Sequence, residues 1–500
     1  MRIPGPELCD DGGAGAIAAA GGLHLYQLWL HDTYGPVVRF QLPGVGVAVS
    51  VSDPELLEAT ARIDERPAPL FEFLAPLCEA GNLQVIGAEE HGPWRRVLLE
   101  VFAGRPSHER HFGEFVSLVE RLADRWEEAE IPGAGAPDGG AQGDGAPDGG
   151  ASGSGALVAL QKDLTALSLR MICAYALGGA GEGLVDPEKV VGAFEDVLTE
   201  HLERIYRVAG DGAEREESAR RADRALGCLR DTVDRVVASH QDGGHQNASY
   251  RGDPRDPCHP AHAAHPDRPG HPDRSDLIRA LLAAGTSPAR IRDTVMVTML
   301  AAHHTTGVAV SWTLYLLGRH PDVAERVAEE LDRVLGDRTA PGYADLRRLT
   351  YLDMVLKESM RLYPPGPYGA RETTEALRLG AYDIPAGTTV FYPFWAVHMN
   401  PGHWPEPERF VPERFTPEAV AKRARLAYIP FGIGPRSCEG AGLAMVEAEL
   451  ILAVLLKRFR FRLAPGHEVT PVERFVLWAA DDIHMAVTPR AGGRRTREGH

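Results

Sequence analysis

The chain has 500 residues, 44% of them apolar and 25% charged, which is enough apolar material for a large core and argues against a disordered chain. A formal net charge of −17 argues against general nucleic-acid binding, because phosphate contacts need clustered Lys and Arg. The six cysteines, Cys9, Cys78, Cys173, Cys228, Cys258 and Cys438, form no CxxC pair, so neither a disulfide framework nor a cysteine-rich zinc site is expected, and a reducing compartment fits.

The N-terminal MRIPGPELCDDGGAGAIAAAGGLHLYQLWL lacks the basic start of a signal peptide and the length of a membrane anchor. A cytoplasmic protein without a membrane anchor is expected. Two short strands follow, VVRFQL and VAVSVS. In HGPWR, His91 and Arg95 lie four apart and share a helix face. Apolar residues recur at helical spacing over 112–130, 163–177, 219–239, 276–284, 321–335 and 351–362. Residues 132–155 contain only Gly, Ala, Asp, Pro, Ser and Gln, with GAPDGGA occurring twice. Such a segment buries almost nothing and reads as a flexible insertion. Residues 240–275 are rich in His, Pro, Asp, Gly and Arg. Their histidines raise a metal reading, but the prolines prevent regular ligand spacing, so a solvated flexible loop is expected.

The run TVMVTMLAAHHTTGVAVSWTLYLL, residues 294–317, is long enough to span a bilayer. Two histidines and several hydroxyls at its middle are costly in lipid, so it reads as a helix buried through the centre of a large protein. A late β segment, LRLGAYDIPAGTTVFY, and a disordered basic tail at 490–500 complete the chain. The fold expected is mainly α with a small β region. No GxGxxG follows a strand, and no P-loop or flavin-type motif is present.

The segment that carries chemistry is Phe431-Gly432-Ile433-Gly434-Pro435-Arg436-Ser437-Cys438-Glu439-Gly440, followed by the helical run AGLAMVEAELILAVLLKRF. Gly432 and Gly434 permit a tight turn. Cys438 sits just before a helix, where free N–H groups and the helix dipole favour a thiolate. Arg436 adds a positive charge suited to an anionic group. A turn-embedded thiolate is what a haem–thiolate site requires.

This segment matches the haem-binding signature Phe-x-x-Gly-x-Arg-x-Cys-x-Gly at every defined position, and the chain resembles the cytochrome P450 superfamily, in particular its bacterial soluble members. The resemblance covers residues from about 34 onward outside the two insertions. It implies one cytochrome P450 domain over residues 1–500, an α-rich body with a small β-rich N-terminal part. It implies haem b as cofactor and O2 as co-substrate, with Cys438 ligating the iron, Phe431 packing near the sulfur beside Gly432, and Arg436 reaching a haem propionate. Arg371, Arg95 and His91 match propionate-facing positions. Glu358 and Arg361 of KESMRLYPP, with Arg414 of the second of PEPERF and VPERF, match the family's structural Glu–Arg–Arg network.

The central run departs from the family pattern. Thr305 matches the threonine that helps deliver protons to bound dioxygen, but His304 stands where an acid is usual and Ala302 where Gly is usual. His304 either relays protons, its ordinary pKa of about 6.5 suiting neutral pH, or is structural. A His303/His304 metal pair is excluded, since adjacent helical residues point about 100° apart. Some sterol 14α-demethylases carry the same histidine. By family position the substrate pocket takes Phe71, Phe73, Leu74, Ala302, Thr306, Pro367, Tyr368, Val476 and Leu477.

The reaction implied is insertion of one atom of O2 into a lipophilic small molecule of secondary metabolism, a terpenoid, polyketide or fatty acid. Electrons come from a separate ferredoxin and ferredoxin reductase, and Lys422, Arg423, Arg425 and Arg436 form a candidate basic docking patch. Alternatives are a peroxide-using or isomerase-type enzyme on the same scaffold, or a haem-binding sensor without turnover.

Overall fold

The structure, a computed structural model, describes residues 2–129, 156–178, 189–190, 192–194, 196–197, 200, 212–241, 276–474 and 476–490. Its N-terminal third holds α1 (Ala14–Ala19), α2 (Leu23–Tyr34), β1 (Val37–Leu42), β2 (Gly46–Val51), α3 (Pro54–Thr60), a 3-10 stretch (Ala68–Leu77), α4 (Ala88–Phe102) and α5 (Arg105–Glu128). The middle holds β3 (Ala156–Ala159), α6 (Leu160–Leu177), α7 (Gly212–Gln241), α8 (Asp276–Ala283), α9 (Pro288–Arg319), α10 (Pro321–Leu335), α11 (Tyr343–Leu346) and α12 (Thr350–Leu362). The remainder holds β4 (Gly369–Glu372), β5 (Leu377–Leu379), β6 (Tyr382–Ile384), β7 (Thr389–Tyr392), α13 (Phe394–His398), α14 (Pro417–Lys422), α15 (Ala441–Arg458), β8 (Phe459–Leu463), β9 (Pro471–Arg474), β10 (Val476–Ala479) and β11 (His484–Pro489).

The apolar run at 294–317 is the body of α9. Ser287 caps that helix, its side chain accepting from the Arg290 N–H at 3.4 Å, and Pro288 occupies the first turn, where a missing N–H costs nothing. Buried residues face every side of α9 from Ile291 to Leu317, the signature of a helix through a core. Among the described residues no helix is long and apolar enough to cross a membrane. The closest neighbour of α9 is α6. Their contact depends on Gly307, where a Cβ would lie 2.6 Å from the Thr165 backbone N. The surrounding helices are amphipathic: α10 buries Val323, Val327, Leu331 and Val334 at helical spacing. From the same face, buried Glu330 accepts from the Tyr351 and Leu352 N–H groups at 2.9 and 3.0 Å, satisfying the free donors at the start of α12.

The largest sheet runs β1-β2-β7-β4. β1 and β2 pair antiparallel with Val37 opposite Val51, β2 and β7 pair parallel with Ala48 opposite Thr389, and β7 and β4 pair antiparallel. The β-rich part is therefore not N-terminal alone, because two of its four strands come from residues 369–392. A second sheet, β3-β11-β8, packs beside the C-terminal end of α9. Among the described residues Cys9, Cys78, Cys173 and Cys438 are free. The insertions placed at 132–155 and 240–275 and the tail at 490–500 lie outside the described residues, save that His240 and Gln241 close α7 and Arg490 follows β11.

Candidate active site

The cysteine loop folds by its glycines. Gly432 and Gly434 have φ of 74° and 68°, the left-handed region that side chains resist. At Gly434 a Cβ would also stand 2.0 Å from the Ala61 carbonyl oxygen. The turn closes when the Cys438 N–H donates to the Phe431 carbonyl at 2.8 Å, and α15 starts three residues later. The thiol is exposed, but to an internal cavity and not to the outer surface, for Cys438 lines a cavity of about 380 Å³. Burial beneath the surrounding protein pushes this thiol up to about 12, and Glu439 adds to the shift while the Gly440 N–H opposes it. A bound cation would favour the thiolate, as the helix start does.

The cavity is walled by one face of α9, where Ala301, Ala302, Thr305 and Thr306 line it, and by apolar side chains including Phe102, Val297 and Leu443. Thr305 turns its hydroxyl back to the Ala301 carbonyl at 2.9 Å. His303 and His304 fall on another face. Their rings stack with centroids 4.0 Å apart, and His304 meets Trp478 at 5.1 Å. Burial lowers His304 to about 4 and His303 well below its usual value. Both rings are neutral at pH 7 and neither lines the cavity. His304 packs between His303 and Trp478, and its ring is not part of the cavity lining.

Three guanidiniums line the same cavity. Arg436 is buried and donates through Nε to Asp64 Oδ1 at 2.6 Å, and through Nη1 and Nη2 to the Leu83 and Ile86 carbonyls at 2.8 and 2.7 Å. Arg371 donates to the Ala370 and Ile433 carbonyls at 2.7 and 3.2 Å. Arg66 lies over the Phe71 ring at 4.6 Å, and its Nε is buried without a partner. Burial, followed by repulsion from Arg371 and Arg436, lowers Arg66 to about 9. Like charges gathered and desolvated in this way call for an anion. Sequence reasoning missed Arg66, since no motif surrounds it.

Arg95 and His91 do not line the cavity. Arg95 grips the cysteine loop, donating to the Ser437 carbonyl at 2.7 Å and pairing with Glu439. His91 meets Asp64 at 2.8 Å, and its Nε2 is buried without a partner. Glu358, Arg361 and Arg414 come together: Arg361 is doubly bonded to Glu358 and also donates to the His398 and Arg409 carbonyls at 3.0 and 3.1 Å, while Arg414 Nε stands 3.3 Å from Glu358 Oε1.

Of the expected pocket residues, Phe71, Ala302, Thr306 and Tyr368 line the cavity, as do Phe431 and Gly432. Leu74, Pro367, Val476 and Leu477 do not. Leu74 is spent in the core, and the Pro367 and Leu477 carbonyls accept from Trp395 N–H and Trp312 Nε1. The Phe73 side chain lies outside those described. Of the four cations of the candidate docking patch, Lys422 and Arg425 are exposed and the other two are not. Arg436 is buried, Arg423 is held over Trp404 and Phe415 at 4.1 and 4.8 Å, and Arg425 pairs with Glu58. Lys422 and Arg425 therefore remain at the surface.

The donor set tests what the cavity can hold. Among the described residues no three His, Cys, Asp or Glu side chains converge as a metal site, so a bare ion has one sulfur and nothing else. A metal that brings further ligands of its own in a largely apolar macrocycle fits this set: the Cys438 thiol would hold the metal and the guanidiniums would meet acidic substituents.

The family model described as Cytochrome P450 matches residues 159–485. Cytochrome P450 4c3 of Drosophila melanogaster is 38% identical over 203 residues, 40% of this chain and 38% of that protein. Cyclooctatin synthase of Streptomyces melanosporofaciens is 38% identical over 225 residues, 44% of this chain and 49% of that protein. Cyclooctat-9-en-7-ol 5-monooxygenase of the same organism is 37% identical over 201 residues, 39% of this chain and 44% of that protein. The matched stretch spans less than half the length of each of these relatives.

Proposed function

The chain belongs to the cytochrome P450 family, and on that footing we propose that it is a haem–thiolate monooxygenase, inserting one atom of O2 into a lipophilic small molecule and releasing the other as water. The observation that carries the proposal is a single free thiol, Cys438, facing a cavity walled by α9 and bordered by three guanidiniums. Cys438 would hold the iron of haem b, and Arg66, Arg371 and Arg436 would meet its propionates. When bound, haem supplies the one-electron and O2 chemistry that no side chain can.

The remaining work falls to the chain itself. Arg95, Asp64 and the Arg436 hydrogen bonds fix the cysteine loop in place before anything binds. Phe71, Phe102 and Val297 present apolar surface that binds a lipophilic molecule and excludes water. Ala301 and Ala302 keep that wall of α9 open, and Thr305 presents a hydroxyl along it. The pocket's apolar character supports a lipophilic substrate, which we place among the terpenoids, polyketides or fatty-acid-like molecules of secondary metabolism. Electrons would come from a ferredoxin and its reductase, since these 500 residues contain no nicotinamide or flavin motif.

The test is the absorption spectrum of purified, dithionite-reduced protein under carbon monoxide, beside a Cys438→Ala control checked for folding by circular dichroism. A Soret band at about 450 nm that the control loses is the expected result for thiolate ligation. Haem-free but well-folded protein, or a band at about 420 nm in the native chain, would overturn the proposal.

A further inference from the structure

Asn82 lines the cavity and is 0% exposed. Its Oδ1 accepts from the Gln84 N–H at 2.9 Å, and its main-chain carbonyl accepts from the Val85 and Ile86 N–H groups at 3.1 Å each. Its Nδ2 is buried without a partner. Turning the amide over would set its own N–H groups against the Gln84 N–H, so its orientation is fixed. The preceding residues are fixed as well. Asp293 of α9, itself buried, takes the Glu79, Ala80 and Gly81 N–H groups on one oxygen at 2.6, 2.5 and 3.1 Å. Asn82 is therefore held in place with two donor hydrogens and no acceptor. A buried donor left so is unfavourable, and the chain itself supplies no remedy.

Other uncharged donors along the lining are already spent. The Thr294 and Thr305 hydroxyls donate to the Arg290 and Ala301 carbonyls at 2.7 and 2.9 Å, Thr306 donates to Glu447 of α15 at 3.4 Å, and Tyr368 donates to Glu473. The charged donors Arg66, Arg371 and Arg436 suit acidic substituents. We propose that Asn82 is a specificity-determining residue, its Nδ2 donating to a neutral oxygen of the substrate, a carbonyl or a hydroxyl. The proposal rests on the haem–thiolate reading and narrows it. The substrate is a lipophile that already carries an oxygen, not a plain hydrocarbon, because only the oxygenated molecule gives the buried amide its acceptor. An earlier reaction must then have left a carbonyl or hydroxyl on the skeleton.

The test titrates the holoenzyme with ketones, each beside its parent hydrocarbon: menthone and menthane, methyl octyl ketone and decane. Binding is read from the shift of the Soret band and from equilibrium dialysis. The native protein should bind at least one ketone about tenfold more tightly than its hydrocarbon. Asn82→Leu keeps the size and removes the donor. Asn82→Asp keeps the acceptor that the Gln84 N–H needs and removes the donor alone. Both should lose the ketone preference, with haem content and the carbon monoxide spectrum unchanged, and Asn82→Leu should bind the hydrocarbons at least as well as the native chain. A native protein that binds every ketone no more tightly than its hydrocarbon overturns the proposal, as does a preference that survives in both variants. Faster haem loss from both variants with the preference intact would assign the amide to a haem propionate and overturn it too. Failure of the haem–thiolate reading would show separately, as a native protein without the carbon monoxide band.

Discussion

Arg361 grips Glu358 at two points, Nε to Oε2 at 2.7 Å and Nη2 to Oε1 at 2.8 Å, and neither side chain is exposed at all. Glu358 Oε1 also accepts from the Val411 N–H at 3.0 Å, which ties α12 to the segment leading towards the cysteine loop. Glu358→Ala would leave a buried guanidinium without its partner, at a cost of about 3–5 kcal/mol. Arg361→Lys keeps the charge but cannot take both oxygens, so it should fall between the native chain and Glu358→Ala. Urea unfolding of the three proteins checks the order, and a loss below about 1 kcal/mol for Glu358→Ala would refute it.

The guanidinium cluster makes opposite demands on the loaded and the unloaded protein. Arg66→Met removes a charge that Arg371 and Arg436 repel, so haem-free protein should become more resistant to denaturant. The same change should speed haem loss to an excess of a scavenger protein by about tenfold, the equivalent of about 1.4 kcal/mol. Unaltered haem loss, followed by absorbance, would show that Arg66 does not bind the cofactor.

Acid should weaken the fold through three buried histidines. Burial is the main cause that lowers His31 and His304 to about 4 and His398 to about 3. In the unfolded chain each titrates at about 6.5. The unfolded state therefore binds protons that the fold refuses, so their contribution is intact above pH 6.5 and is lost as pH falls towards 4 and 3. At pH 5 the loss is up to about 2 kcal/mol for each. His304→Phe should flatten the decline between pH 7 and 5, measured by urea midpoints. A decline as steep as that of the native chain counts against the neutral-ring assignment.

Glu447 acts in the opposite sense. Its folded pKa of about 8 lies above the ordinary 4.5, so the native state holds a proton that the unfolded state releases. Stability is greatest below pH 4.5 and falls as pH rises through 8. Glu447→Gln should therefore gain stability over the native chain at pH 8.5, by an amount on the order of a few kcal/mol, and gain little at pH 4.5. Equal gains at both values would mean that the carboxyl does not titrate with folding.

Two helical glycines should respond to alanine with opposite signs. Gly307 presses on the α6 backbone, and a Cβ there must displace Thr165, costing about 1–3 kcal/mol. Gly227 in α7 has nothing within 4 Å of the position a Cβ would take, so Gly227→Ala should stabilise by up to about 1 kcal/mol. Thermal melts of both variants decide the matter, and two shifts of the same sign would refute the close approach of α6 and α9.

The helices, the buried central segment and the cysteine turn were legible in the sequence because their signals are local: apolar spacing, prolines and glycines at boundaries, and a contiguous motif. α5 begins at Arg105, seven residues before its clear apolar period, because Pro106 suits a first turn that carries no apolar stripe. The make-up of the four-stranded sheet was not legible, because the parallel pairing of β2 with β7 joins residues far apart in the chain. At the site, the family resemblance marked Cys438 and Thr305, and the spacing of three put Glu358 and Arg361 on one helix face. The direction of His304, the absence of Val476 and Leu477 from the lining, and the entry of Arg66 and Glu447 depend on helix rotation and loop path, which single-chain periodicity does not encode.

Asp64 and Arg436 are separated by 372 positions and bonded at 2.6 Å. The loop that holds Cys438 is anchored by a carboxylate from near the start of the chain, and the carboxylate waits on an arginine made almost at the end. During synthesis, everything from residue 64 onward must be emitted before this bond can close. The cavity is thus a product of late assembly. A cofactor would have nowhere to settle on the growing chain, and its insertion would follow translation as a separate event, open to control by cofactor supply.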